Sequence, residues 1–170
     1  MTDLQIRDAR PSDRDTILTA TLAAYEQYAP ALGPNWLTYR QNIVESLTNP
    51  ASGHQIVAEV NGALVGAVLL IPAGTAVNRP NDAPITLDYP EIRLLAVVPS
   101  ARGLGVGKAL VDECVRRTRE TGVSVITLHT TDLMQVAMKM YERMGFVRDP
   151  ERDFHPAPNT TVKGYRLNLE

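Results

Sequence analysis

An apolar run from Leu94 to Val98 meets Pro99 and then a turn with glycine at every other position, Gly103, Gly105 and Gly107. A helical pattern follows at once, with Val106, Leu110, Val111, Cys114 and Val115 at its apolar positions. The first backbone N–H groups of a helix have no internal acceptor, and the helix dipole adds partial positive charge at the same end. Glycines before that end let an anion reach the backbone with no Cβ in the way. A strand, a glycine turn and a helix start in this order make a cradle for a phosphate or pyrophosphate. Two common phosphate sites are excluded. A P-loop needs Ser or Thr after its lysine, and Lys108 is followed by Ala109. A dinucleotide fingerprint needs G-x-G-x-x-G, and alternate glycines have the wrong spacing.

The surrounding pattern supplies the elements that must hold this turn. Leu4 to Ala9 is β-like. Pro11, Ser12 and Asp13 start a helix carrying Ile17, Leu18, Thr21, Leu22 and Tyr25, and a second helix is expected from Asn35 to Leu47. Strands at 55–60 and 63–71 are joined by Asn61-Gly62, a strong hairpin signal. The proline-rich segment from Pro72 to Pro90 shows no periodicity. It reads as a functional loop outside the core, a candidate lid. A strand at 91–98, the helix at 105–120, a strand at 123–130, a helix at 133–144 and a strand at 161–169 complete the order. This predicts one domain over residues 1–170, of α/β (α+β) class, with a mixed sheet.

The glycine segment resembles the GNAT signature, R/Q-x-x-G-x-G/A, in Arg102, Gly105 and Gly107. A second motif of that family, A-x-x-x-Y-x-x-x-G-F, matches Ala137, Tyr141, Gly145 and Phe146. The element order resembles the family over nearly the whole chain. The resemblance implies a mixed, mostly antiparallel sheet of about six or seven strands flanked by about four helices. It also implies acetyl-CoA as cosubstrate. The amides of Arg102, Gly103, Leu104, Gly105, Val106, Gly107 and Lys108 would bind the pyrophosphate. The strand at Leu95, Ala96 and Val97 would pair with the pantetheine arm, and an N–H near Val97 would polarise the thioester carbonyl.

The implied reaction is direct transfer of an acetyl group to a primary amine of a small molecule or peptide, through a tetrahedral intermediate. The leaving thiolate needs a proton, and Tyr141 stands where the family has its tyrosine acid; a phenol near pKa 10 suits a basic thiolate. The base is expected at Glu91, the position of the glutamate of histone-acetylating members, with Glu59 and His129 as weaker candidates. Glu91 could equally be an exposed carboxylate paired with Arg93. Many members carry an asparagine where this chain has Met134, so Thr130, Thr131 and Asp132 are candidate polar substitutes. Tyr25, Tyr28, Trp36 and Tyr39 concentrate around the first two helices, as core or as part of an acceptor site. A non-catalytic CoA-binding sensor is the competing reading, although a pure binder needs neither Tyr141 nor Glu91.

A formal net charge of −2 offers no basic footprint for nucleic acid. Neither a secretory leader nor a bilayer-spanning run is visible, and the single cysteine, Cys114, cannot form an internal disulfide. A cytoplasmic protein without metal or membrane partner is expected, and a homodimer is compatible with the sequence.

Overall fold

A computed structural model describes residues 2–49, 53–79 and 82–170. The strands are β1 (Leu4–Asp8), β2 (His54–Val60), β3 (Ala63–Ile71), β4 (Ala76–Val77), β5 (Ile85–Thr86), β6 (Glu91–Val97), β7 (Val125–Thr130), β8 (Val147–Arg148), β9 (Phe154–Ala157) and β10 (Thr160–Asn168). The helices are α1 (Arg14–Tyr25), the single turn α2 (Ala29–Leu32), α3 (Trp36–Thr48), α4 (Val106–Glu120) and α5 (Gln135–Arg143). Backbone pairing runs β1-β2-β3-β6-β7-β10-β8, with β9 on β10, and β4 and β5 form a separate hairpin. β6 and β7 are parallel, while β1–β2, β2–β3, β7–β10, β8–β10 and β9–β10 are antiparallel. The sheet is therefore mixed and mostly antiparallel, as expected.

Cα packing divides the chain into two units, Met1–Leu70 with Leu94–Cys114, and Ile71–Arg93 with Val115–Glu170. In the first, Asn61 and Gly62 both take positive φ, 51° and 82°. That is the backbone of a two-residue hairpin turn. α1 buries Ile17, Ala20, Thr21, Ala24 and Tyr25 and packs on α3, which buries Ile43 and Leu47. Within α4, Val106, Leu110, Val111 and Cys114 are buried at helical spacing.

In the second unit β7 is buried along most of its length and pairs with β10 from Val125↔Asn168 to Thr130↔Lys163. Gly164 lies inside β10, where a Cβ would meet Arg152 Cβ at 2.5 Å and the Asp149 carbonyl at 2.9 Å. The missing side chain lets the 3₁₀ turn Pro150–Arg152 lie against β10.

The segment 72–90 differs from the reading of an irregular loop outside the core. Its described part contains the β4–β5 hairpin, and Val77 and Leu87 are buried. Two short strands separated by prolines gave too few residues for a period to show. Pro80 and Asn81, at the middle of the expected lid, lie outside the described residues.

Candidate functional site

In the first unit the glycine turn forms as its sequence requires. Gly103 and Gly105 have φ of 79° and 78°, a region open to glycine and strained for other residues. Adjacent residues aside, no atom of the described residues lies within 4 Å of a Cβ built at either position, so the space beside this backbone is open. The first helical bond here runs from the Ala109 N–H to the Gly105 carbonyl at 3.0 Å. The amides of Val106, Gly107 and Lys108 therefore have no intrahelical acceptor. A cradle open on the Cβ side and lined by helix-start amides fits a pyrophosphate. The Lys108 ammonium pairs with Asp112 at 2.7 Å on the exposed surface, and an Arg102 Nη reaches the Ala24 carbonyl at 3.5 Å.

What clamps the turn is a glycine that the motifs do not include. A Cβ on Gly66 of β3 would stand 2.9 Å from Val106 Cγ1, 3.0 Å from the Ala96 carbonyl and 3.2 Å from Leu110 Cδ1. β3, the end of β6 and the first turns of α4 approach this closely only because residue 66 has no side chain. β6 also carries a backbone anomaly. Leu94 has φ 52°, a left-handed conformation that costs a bulky residue roughly 1–2 kcal/mol. The parallel register with β7 covers Glu91↔Thr127 and Ile92↔Leu128, just before it. Leu95, Ala96 and Val97 follow it, and the Val98 N–H donates to the Val65 carbonyl at 2.9 Å.

The second unit places Glu91 differently from an exposed strand start. Its carboxylate is 2% exposed. The Pro90 carbonyl before it is held by the Thr127 N–H at 2.9 Å and the Thr127 hydroxyl at 3.0 Å. Glu91 Oε1 contacts His129 Nδ1, and Oε2 lies 3.3 Å from Arg93 Nε. His129 Nε2 faces the Arg152 carbonyl at 2.8 Å, so it donates there. Nδ1 and Oε1 then hold one proton between them. Burial alone would push the Glu91 carboxyl up, but His129, Arg93 and Arg79 outweigh it and hold the group below the usual carboxylate range. Glu91 and His129, separate candidates in the sequence, are thus one pair. Glu59 belongs to another assembly, in the first unit: it accepts from Arg7 at 2.6 Å, and Arg7 also binds Asp13 at 2.7 Å.

Tyr141 is buried on α5, with its ring edge-on to Phe146 at 5.8 Å and the Phe146 N–H bonded to the Tyr141 carbonyl at 3.0 Å. Gly145, at φ 98°, ends the helix between them. Met134 is the residue preceding α5. Among its candidate substitutes, Thr130 and Thr131 have buried hydroxyls with no hydrogen-bond partner among the described residues, while Asp132 pairs with Lys163 at 2.6 Å. The aromatic group of the first unit is contiguous: Tyr25 meets Tyr28 and Tyr39 at 6.0 Å each, and Trp36 stacks on Tyr39 at 6.3 Å. Burial raises the Tyr28 phenol, opposed by Arg102.

The sequence motifs missed Gly66, Gly164, Arg79, Arg152 and Phe154. A glycine inside a strand pattern was the available signal for the first two. The other three had none, because their partners are remote in sequence. No group of three or more His, Cys, Asp or Glu side chains among the described residues could hold a metal ion. No helix among them is long and apolar enough to cross a membrane.

A family model described as the acetyltransferase (GNAT) family matches residues 21–146. The chain belongs to the GNAT acetyltransferase family. Among its curated relatives, a mycothiol acetyltransferase of Sanguibacter keddieii is 41% identical over 98 residues, which cover 57% of this chain and 29% of that protein. A probable N-acetyltransferase family 8 member 5 of Mus musculus is 35% identical over 107 residues, 63% of this chain and 44% of that one. The chain thus spans less than half the length of either relative. A GNAT acetyltransferase from Brucella melitensis, solved with acetyl-CoA, superposes at TM-score 0.63 and 21% identity over 99% of this chain and 89% of that one. That likeness shows the fold.

Proposed function

We propose that this GNAT chain transfers an acetyl group from acetyl-CoA to a primary amine of a small molecule or peptide. The observation that carries the reading is the open glycine cradle at Gly103 and Gly105, set before the helix-start amides of α4. The named activities of the curated relatives and the acetyl-CoA complex of the Brucella protein support it.

Acetyl-CoA, when bound, supplies an acyl group activated as a thioester. The amides of residues 102–108 would hold its pyrophosphate, and the backbone of Leu95–Val97 its pantetheine arm. A C–N bond forms to the acceptor nitrogen as the C–S bond breaks. The nitrogen gives up its surplus proton, and the departing sulfur gains one. We assign the second proton to the Tyr141 hydroxyl. Glu91, held ionised by His129 and Arg93, is the carboxylate assigned to the acceptor's proton. A carboxylate held below its ordinary range is a weaker base, and its charge also favours an approaching ammonium group.

Calorimetry with acetyl-CoA tests the cradle. Gly107 lies in the first turn of α4, where valine can adopt the helical backbone while placing a side chain beside the amides. Gly107→Val should weaken binding by at least about tenfold, or 1.4 kcal/mol, with the melting temperature nearly kept. Unchanged affinity in the folded variant would sink the assignment. Release of free thiol with a panel of polyamines, amino acids, aminoglycosides and peptides separates an enzyme from a CoA sensor.

A further inference from the structure

Around the Glu91–His129 pair, Arg152, Arg148, Arg93 and Arg166 each have a carboxylate partner. Arg152 makes two bonds to Asp88, at 2.9 and 2.8 Å, and one to Asp149 at 3.0 Å. Arg148 binds Asp153 bidentately, at 2.7 and 2.8 Å. Arg93 is matched by Glu91, and Arg166 lies 3.8 Å from Asp149. Arg79, between β4 and β5, differs. Its guanidinium carbon sits 4.4 Å above the centre of the Phe154 ring, and among the described residues no carboxylate lies within ion-pair distance of it. Burial lowers its affinity for the proton, opposed by the more distant charges of Glu91 and Asp82. A guanidinium stays charged in any protein setting. This side chain is therefore a half-buried cation over an aromatic ring, with no ion-pair partner among the described residues.

Phe154 joins that cation to the pair already described. Its other contact is the His129 ring, edge-on at 5.2 Å. Arg79 is thus one ring away from His129 and Glu91. Glu91 already has two ion-pair partners, and Arg79 is not one of them. The N–H fork of an arginine matches a planar carboxylate with two parallel hydrogen bonds, and no acceptor among the described residues takes that of Arg79.

We propose that Arg79, seated over the Phe154 ring, is the recognition site for a carboxylate on the acceptor, so that the acceptor is an amine bearing a carboxylate, an amino acid or a peptide. The inference rests on the transferase reading for the word acceptor, but the anion site itself does not depend on turnover. It names a specificity residue outside both sequence motifs. It also gives a role to the hairpin segment 72–90, which carries Arg79 beside the Glu91–His129 pair.

The test compares matched ligands: an amino acid, its carboxamide and the amine lacking the carboxyl group. Binding to the full chain is measured by calorimetry, and acetylation by thiol release. The wild-type protein is expected to favour the amino acid by at least about tenfold in both measurements. Arg79→Met should abolish that preference, with a loss on the amino acid larger than any change on the decarboxylated amine, and leave the affinity for acetyl-CoA unchanged. It should also leave the melting temperature unchanged or raised, because an unpartnered charge leaves a partly dry site. Equal losses for all three ligands in Arg79→Met would make Arg79 structural and overturn the proposal, as would a wild-type protein with no carboxylate preference. Competition by inorganic phosphate without competition by the amino acid would also overturn it. If no amine is acetylated while carboxylate binding still depends on Arg79, the transferase reading fails and the anion site stands. If turnover occurs without any preference, the reverse holds.

Discussion

Replacing His129 by alanine should expose how much the buried Glu91 carboxylate depends on it. Glu91 is 2% exposed and has two partners, His129 Nδ1 and, at 3.3 Å, Arg93 Nε. His129→Ala removes the closer one. It also frees the Arg152 carbonyl, and Phe154 loses its edge contact. Breaking a buried ion pair from one side costs roughly 3–5 kcal/mol. Arg93 remains, and water can enter the space of the imidazole, so about 2–4 kcal/mol is expected at pH 7.5. At roughly 2–4 °C per kcal/mol for a chain of this size, the melting temperature should fall by about 4–16 °C. The pH dependence gives the sharper check. In the wild type the folded Glu91 carboxyl lies below its unfolded value, so its ionised form adds stability above about pH 4.3 that is lost as pH falls through the folded value. Without His129, burial dominates and the folded value should rise above the unfolded one. The variant then loses stability as pH rises through that range. The deficit should be largest at neutral pH and shrink towards pH 4.5. Urea titrations followed by the fluorescence of Trp36, the chain's one tryptophan, measure both. The double variant with Glu91→Gln no longer buries a carboxylate without its closest partner and should lose less than the sum of the single changes. A deficit under about 0.5 kcal/mol at pH 7.5, or the same deficit at both pH values, would refute this account of the pair.

Two further outcomes are expected. Tyr141→Phe keeps the ring against Phe146, so stability should change by no more than about 1 kcal/mol, while kcat should fall about 10²–10⁴-fold with acetyl-CoA affinity preserved. The loss should shrink for a thioester whose thiolate is less basic, and a near-normal kcat would make Tyr141 a packing residue. Gly164→Ala would place a Cβ 2.5 Å from Arg152 Cβ and 2.9 Å from the Asp149 carbonyl. The turn must move, so about 1–3 kcal/mol should be lost in thermal or urea unfolding; an unchanged melting temperature would show that the turn yields freely.

What the sequence determined by itself was local. The glycine turn could be read from Gly103, Gly105 and Gly107, because positive φ and an open helix start are properties of a few consecutive residues. The Asn61-Gly62 hairpin, the stripe of α4 and the spacing from Ala137 to Phe146 were legible for the same reason. The tertiary structure decided the partners. Glu91 and His129 are 38 residues apart in sequence, and no periodicity states that parallel pairing of β6 with β7 will bring them together. The same holds for Arg79 on Phe154 and for Arg152, whose carbonyl holds His129 while its guanidinium holds Asp88. Gly66 and Gly164 sit between these cases. A glycine inside a strand hints at a close approach, but which backbone or side chain approaches is fixed only by packing. Leu94 had no local signal at all. A leucine does not favour a left-handed backbone, yet it adopts one here. Charge burial follows the same division. A sequence shows that Glu91 is ionisable, but only the fold, by removing water and supplying His129 and Arg93, sets how tightly it keeps its charge.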